Sequence, residues 1–206
     1  MRLDAKQAAG LRECADYLDQ NWLELSAGLE GFLADEKLRG VHRHAVQWGD
    51  ADSMGNSFIH MQSGRFNWFR NLADLAEPQY TQQWLDLTGP RGVGLILASI
   101  KTDYKFPMTY PDRVTVLHKL TEEPKPDSDR FDLEVVIYSE NQRRPAARCF
   151  EDIVVYDYQA GKKATLKPFV VKKFRELYHL QLQRQKESEK KVAELQDIIT
   201  EIEKSV

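Results

Sequence analysis

Two carboxylates two residues apart, Asp50 and Asp52, stand just ahead of a glycine in the stretch Gln47-Trp48-Gly49-Asp50-Ala51-Asp52-Ser53-Met54-Gly55. An extended run leads into them, and a helix-like run rich in aromatics follows. The first N–H groups of a helix have no intrahelical acceptor, so a carboxylate placed there lies beside free donors. Such a turn can hold a reactive oxygen and an oxyanion within reach of one carboxylate. Asp50 reads as the residue that caps the turn.

Other groupings offer less. His42 and His44 sit at alternate positions of an extended segment and would share one face of a strand. A metal needs at least a third ligand, and no Cys or further His lies nearby in sequence, so no metal site is expected. Cys14 and Cys149 are far apart and read as reduced thiols of an intracellular protein.

The elements that must position these residues follow from periodicity. Residues 4 to 34 read as a helical arm whose apolar face is Leu11, Cys14, Ala15, Leu18, Trp22 and Leu25, with a local break at Asn21-Trp22-Leu23. Gly28 and Gly31 weaken the pattern after it. Leu38 to Trp48 is extended. The helix after Gly55 carries Phe58, Ile59, Met61, Phe66, Trp68, Phe69, Leu72 and Leu75, too much apolar surface for one stripe. It should be buried on most sides, as when a curved sheet wraps around it, and should end between Asp74 and Pro78.

A short helix or loop is expected over Gln79 to Leu87, then a turn at Thr88 to Gly92. Val93 to Tyr104 is β-prone, with Gly94 marking a bulge or a close backbone approach. Strands follow at Val114 to about Leu120, at Phe131 to Ile137, where Phe131, Leu133, Val135 and Ile137 alternate cleanly, and at Ala146 to Tyr158. The class is α+β, one long helix against a highly curved antiparallel sheet. From Phe169 onward there is no glycine or proline, and Val192, Leu195, Ile199, Ile202 and Val206 form an a/d seam. Gln181, Gln185 and Ser188 interrupt it farther back. A helical partner over 181–206, another protein or a second copy, is one expectation; a frayed, solvated helix is the other.

With 206 residues the chain holds one domain with an appendage or two very small domains. Its 42% hydrophobic content allows a real core, and its net charge of −3 excludes an overall basic field for nucleic acid or anionic lipid. No apolar run approaches the roughly 20 residues of a membrane span. Acidic Asp4, Glu13 and Asp16 are mixed among the early basic residues, and the apolar core of a secretory signal is missing. An intracellular location, cytoplasmic or mitochondrial, is expected.

The segment Trp48 to Gly55 resembles the Asp-x-Asp-x-x-Gly opening of hotdog-fold thioesterases of the 4-hydroxybenzoyl-CoA thioesterase type, in which a strand ends in that motif and a long central helix follows. Gly92 to Pro107 is similar to the family's second strand with its Tyr-x-x-Pro ending, and Tyr110-Pro111-Asp112-Arg113-Val114 to its next turn. The strand closed by Asp157 and Gly161, then Pro168, matches the end of the domain. The resemblance covers roughly residues 40 to 172, between an N-terminal helical arm at 1–39 and a C-terminal helix at 173–206.

It implies an acyl-CoA or acyl-carrier thioesterase with no cofactor beyond the CoA thioester substrate. Asp52 would be nucleophile or general base. A backbone N–H between Asn56 and Ile59 would polarise the carbonyl, and Asn56 could orient water or the acyl group. Gly55, Ser57, Phe58, Gln62, Arg65 and Lys105 would line the substrate, with Lys101 and Arg113 as further candidates for the CoA phosphates. A homodimer or homotetramer is implied, with sites between subunits.

The chain departs from the pattern in two places. Asn56-Ser57-Phe58-Ile59 replaces His-Val-Asn-Asn, and Gln62-Ser63-Gly64-Arg65 echoes Glu-Ser-Ala-Arg with a neutral Gln62. An ungapped register would match Arg70 to the family's arginine instead. These departures and the appended seam favour an alternative, a catalytically inactive hotdog subunit that binds or scaffolds; a double-bond hydratase or isomerase on the same fold is a third reading.

Overall fold

The computed structural model describes residues 4–47 and 59–205, the side chains of 59–62 excepted. In chain order it runs α1 (Ala5–Leu29), β1 (Val41–Ala45), α2 (Ile59–Asp74), α3 (Thr81–Asp86), β2 (Val93–Tyr104), β3 (Arg113–Leu120), β4 (Arg130–Ser139), β5 (Arg144–Asp157), β6 (Lys162–Lys163) and α4 (Pro168–Lys204). The strands make one antiparallel sheet in the order β1-β3-β4-β5-β2, with β6 on β5. The expected α+β class and strand order are both present. Only β6, too short to carry a period, was not foreseen.

Alternation decides which side chains meet the central helix. Phe131, Leu133, Val135 and Ile137 of β4 are buried on one face, together with Val114 and Val116 of β3. Onto that face α2 lays Trp68, Phe69, Leu72 and Ala73, all 2% exposed or less. Burying each large side chain contributes about 1.5–3 kcal/mol, so this layer is the main core. The first turns of α4 join it through Val170, Val171 and Phe174, whose ring stacks on Trp68.

Phe66 and Leu75 correct the expectation of a helix buried on most sides, since they are 45% and 38% exposed. Phe66 faces the side where the sheet ends at edge strand β2, and among the described residues no further strand covers it there. Gly94 is a close approach rather than a bulge. A Cβ there would lie 2.7 Å from the Gly89 carbonyl oxygen, and the irregularity of β2 falls instead between Leu97 and Ser99.

The outer face of the sheet is covered by α1. Leu117, Val136 and Tyr138 pack under Trp22, Leu23, Ala27 and Phe32. An ionic fringe surrounds them, with Lys119 at 2.8 Å from Glu134, and Arg148 joining Glu134 to Glu30. Burial alone would raise the Glu134 carboxyl, but hydrogen bonds from Lys119 and Arg148 overcome it and hold the pKa below the ordinary value. The expected break is present at Asn21 (φ −117°, ψ 18°). The helix ends at Leu29 rather than near residue 34. Gly31 adopts φ 78°, and its N–H and that of Phe32 donate to the carbonyls of Gly28 and Ala27, a Schellman stop.

α4 has 37 residues, about 55 Å of helix. Its seam does not wait for a separate partner or fray. Val192, Leu195 and Ile199 pack on Cys14, Tyr17 and Leu25 of α1 in the same chain. The polar seam positions also have specific partners. Gln181 is 4% exposed and forms a pair of 3.0 Å hydrogen bonds with the Leu120 backbone, accepting from its N–H and donating to its carbonyl. Ser188 fits the notch left by Gly28, where a Cβ would come within 2.1 Å of its Oγ. No helix among the described residues is long and apolar enough to cross a membrane.

This pairing has a direct test. Cys14 is 5% exposed only because α4 covers it, whereas Cys149 lies in the main core. A chain ending at Ser188 is expected to react with a thiol reagent at Cys14 under native conditions while Cys149 stays protected. Equal protection of Cys14 in the short and full-length chains would show that α4 does not hold α1.

Candidate functional site

Most of the expected site lies outside the described residues: Asp52, Gly55, Asn56, Ser57 and Phe58 all do. Ile59 and Gln62 belong by backbone to the first turns of α2. Arg65 and Lys105 have described side chains, and the structure separates them.

Arg65 faces the sheet and is 9% exposed, whereas Arg70 is exposed to solvent. Of the two arginines open to a match, Arg65 is therefore the inward one. Its neighbour Gly64 lets α2 sit close to β3, where an added Cβ would be 3.0 Å from Val116 Cγ1. Arg65 Nη1 donates to Glu151 Oε1 at 2.9 Å. Glu151 comes from β5, between inward-facing Cys149 and Ile153, and its residue is 1% exposed. Oε2 of the same carboxylate has no hydrogen-bond partner among the described residues. Burial raises the Glu151 carboxyl above the ordinary range, with the Arg65 guanidinium pulling against it.

His118 lies on the same inner face and stacks on Trp68 at 5.6 Å between ring centroids. Neither ring nitrogen has a partner among the described residues. Burial first, and then the nearby Arg65 charge, lower its pKa to about 3, so the imidazole is neutral at physiological pH. Cys149, which accepts a hydrogen bond from the Thr102 hydroxyl, is pushed up to about 11 by burial and is a thiol rather than a nucleophile.

Beside Arg65 a partly enclosed cavity of about 30 Å³ opens between α2 and β2. Its walls include Arg65, Phe66, Phe69, Leu95, Leu97 and Ile153. A larger open groove of about 280 Å³ lies under Tyr80, Trp84 and Phe169. It borders the C-terminal end of α2, roughly 24 Å from the helix start, and its lysines are already paired, Lys172 with Glu77 and Lys173 with Glu176. The small cavity is the better candidate, because it adjoins the buried charges and the half of α2 that carries the motif.

The basic residues do not gather. Lys101 and Lys105 are exposed on or just past the edge strand β2, and Arg113 is on β3, with β4 and β5 between them. That spacing is about 14 Å. Lys101 also lies 3.6 Å from Asp103. The strand that was to align His42 with His44 is bulged, with Arg43 at φ 45° and a register shift between Val41 and His44. The His42 ring instead meets Arg39 Nη1 at 2.5 Å.

Glu151 and His118 were missed from sequence. A signal existed: each occupies an inward position of a strand whose other inward residues are apolar, Val114, Val116 and Leu120 for one, Ile153 and Val155 for the other. An ionisable residue at such a position breaks the apolar period, and one that stays charged there requires a partner, as Glu151 has in Arg65.

Comparisons with known proteins agree with this architecture. The thioesterase-like superfamily matches residues 46–174. No curated protein matches the chain in sequence. Among solved structures, a thioesterase of Thermus thermophilus complexed with coenzyme A and zinc is 20% identical, covering 73% of this chain and 97% of its own, with a TM-score of 0.53. A Staphylococcus aureus protein in complex with CoA is 11% identical over 68% of this chain and 84% of its own, at 0.53. The probable thioesterase YbaW of Escherichia coli is 15% identical over 66% and 97%, at 0.50. At these identities the structures establish the shared hotdog fold and leave substrate open.

Proposed function

This chain belongs to the thioesterase-like superfamily, and on that premise we propose that it hydrolyses an acyl-CoA or acyl-carrier thioester to a carboxylic acid and a free thiol. One observation carries the reading. The family match over 46–174 takes in Asp52 and its neighbours in sequence, the whole of α2 and every strand from β2 to β6. Asp52 acts as nucleophile or as base for water, and N–H groups between Asn56 and Ile59 receive the oxyanion. A thioester needs both an oxygen nucleophile and preorganised donors. In this reading Gly55, Ser57, Phe58, Gln62 and Arg65 border the acyl thioester, and Lys105, exposed to solvent, meets a CoA phosphate.

We read residues 40–172 as the catalytic unit, with 1–39 as its arm and 173–206 as its helical extension. The unit pairs with a second copy through β2, a 12-residue edge strand with no neighbour on its outer side among the described residues. Light scattering should then give two or four times the 23.9 kDa of one chain. A single-chain mass at micromolar concentration would reject the pairing.

Neutral Gln62, where many relatives carry glutamate, supports a second reading, a subunit that binds or scaffolds without turning over. A panel of short, long and aromatic acyl-CoAs separates the two, since turnover on any member is required by the first and excluded by the second.

A further inference from the structure

We infer that the end of the sheet around Lys105, Tyr110, Arg113 and Arg144 is a docking surface for a small acidic carrier protein, which presents the acyl group on its thiol arm. The inference rests on the acyl-thioester reading and chooses between its two substrate classes. On a carrier-borne substrate Lys105 meets a carboxylate of the carrier in place of a CoA phosphate.

Strand register brings these residues together. Ala45 pairs with Arg113, Val114 with Ser139, Ser139 with Arg144, and Tyr104 with Ala147. So β1, β2 and β4 end where β3 and β5 begin, and Lys105 follows directly after β2. The central helix starts at the same end. Gly64 of α2 lies against Val116 of β3, whereas Phe69 farther along meets Phe131, at the opposite end of the sheet. The Val46 N–H donates to the Asp112 carbonyl at 2.9 Å, which holds the exit of β1 against this rim. Gln47 and Ile59 therefore both lie here, and Asp52 falls between them in sequence.

The rim is basic although the chain as a whole carries −3. Lys105, Arg113 and Arg144 are exposed, and none has an acid partner among the described residues. Arg113 Nη1 donates to the Arg43 carbonyl at 3.2 Å, and the Arg144 guanidinium stands 4.4 Å over the Phe106 ring. The neighbouring acids are turned inward or already engaged. Asp112 is 8% exposed and accepts from the Ser139 hydroxyl and the Asn141 N–H. Glu140 accepts from the Thr115 hydroxyl, and Asp103 faces Lys101. In the turn between Lys105 and Arg113, Tyr110 is 64% exposed, the most exposed large hydrophobic side chain among the described residues.

Spacing and composition select the occupant. Lys105 and Arg113 stand about 14 Å apart across the sheet, with Arg144 between them. A single phosphate group cannot meet cations so far apart. A helix bearing carboxylates on successive turns offers one about every 5 Å. An exposed tyrosine flanked by arginines is the composition of a protein interface. The charges steer and orient an acidic partner, and the tyrosine supplies the apolar contact.

The experiment uses the full-length chain and one octanoyl group on three thiols: an acyl carrier protein, CoA, and pantetheine, which has no phosphate. At low salt, kcat/KM for the carrier substrate is expected to exceed that for octanoyl-pantetheine at least about tenfold, and to lose most of that margin at about 0.5 M salt. In Tyr110→Ala/Arg144→Glu the carrier value should fall about tenfold or more, while octanoyl-pantetheine turns over as before. Thermal melting checks that this variant is folded. If it is not, Arg144→Gln alone should give a milder loss for the carrier, about threefold.

A carrier substrate turned over no faster than octanoyl-pantetheine overturns the inference. So does a folded variant that loses octanoyl-CoA and keeps the carrier, which would assign the rim to CoA phosphates, or one that loses all three alike. Calorimetry with the unacylated carrier separates docking from hydrolysis. Salt-sensitive binding that weakens about tenfold in the variant, without turnover of any thioester, leaves the docking surface standing and removes hydrolysis. Turnover of octanoyl-CoA without carrier binding does the reverse, and absence of both binding and turnover rejects both.

Discussion

Asp52→Asn is expected to lower kcat for the best acyl-CoA substrate by about 10²–10⁴-fold, the usual contribution of a general acid or base. The substitution keeps the size and the hydrogen-bonding oxygen but removes the basic, nucleophilic carboxylate. If Asp52 attacks the carbonyl itself, the loss reaches the upper end, because the amide cannot form the anhydride-like intermediate at all. KM should change little, and the melting temperature should stay within a degree or two, since a turn that accepts Asp also accepts Asn. Asp50→Asn is the matched control. A capping residue tolerates that exchange with small cost, so its turnover should remain within a few-fold of the unaltered chain. Loss of activity from Asp50→Asn and retention in Asp52→Asn would reverse the two assignments.

Removing one member of the Arg65–Glu151 pair is expected to destabilise the fold by about 3–5 kcal/mol, the usual penalty for leaving a buried charge without its counterion. Arg65→Met is the cleaner half, because Met covers the same apolar wall. Replacing both, as Arg65→Met/Glu151→Leu, should recover most of that loss, since a buried pair exchanged for packed apolar groups is often neutral or stabilising. Denaturant unfolding of the two single variants and the double variant completes the cycle. The pH dependence gives an independent check. Glu151 is raised by burial even with Arg65 beside it, and without Arg65 it should be raised further. A carboxyl with a folded pKa above its unfolded one makes a stabilising contribution that is complete at low pH and is lost as pH rises through the folded value. Arg65→Met should therefore recover stability on acidification toward the unfolded carboxylate range and be weakest above the raised pKa. A deficit independent of pH would mean that lost packing, and not the orphaned carboxylate, causes the damage.

Much of the fold was legible before any coordinates. Phe131, Leu133, Val135 and Ile137 alternate because a strand with one buried face must, and the prolines and glycines between such runs mark the turns. The order of strands β2 to β5 and the helix carrying Trp68, Phe69 and Leu72 follow from those local signals. So does the single uninterrupted helix after Pro168, which has no glycine or further proline to stop it. Of the candidate site, the Asp-x-Asp-x-x-Gly pattern of Asp50, Asp52 and Gly55 was visible because its residues are adjacent in sequence, though these residues lie outside those the structure describes.

What the sequence left open was every question of which face meets which. Arg65 and Glu151 are 86 residues apart, and no period within α2 or β5 says that the two will oppose each other. The seam of Val192, Leu195 and Ile199 was plain, but not that α1 of the same chain would cover it through Cys14 and Leu25. The exposure of Phe66 came from the sheet ending at β2, a fact about neighbours and not about Phe66. Periodicity is a property of one stretch of backbone and its own side chains, so it fixes elements and their apolar faces. The partners of those faces are chosen only when the chain collapses and long-range packing selects among them. That step alone placed a buried carboxylate behind Arg65.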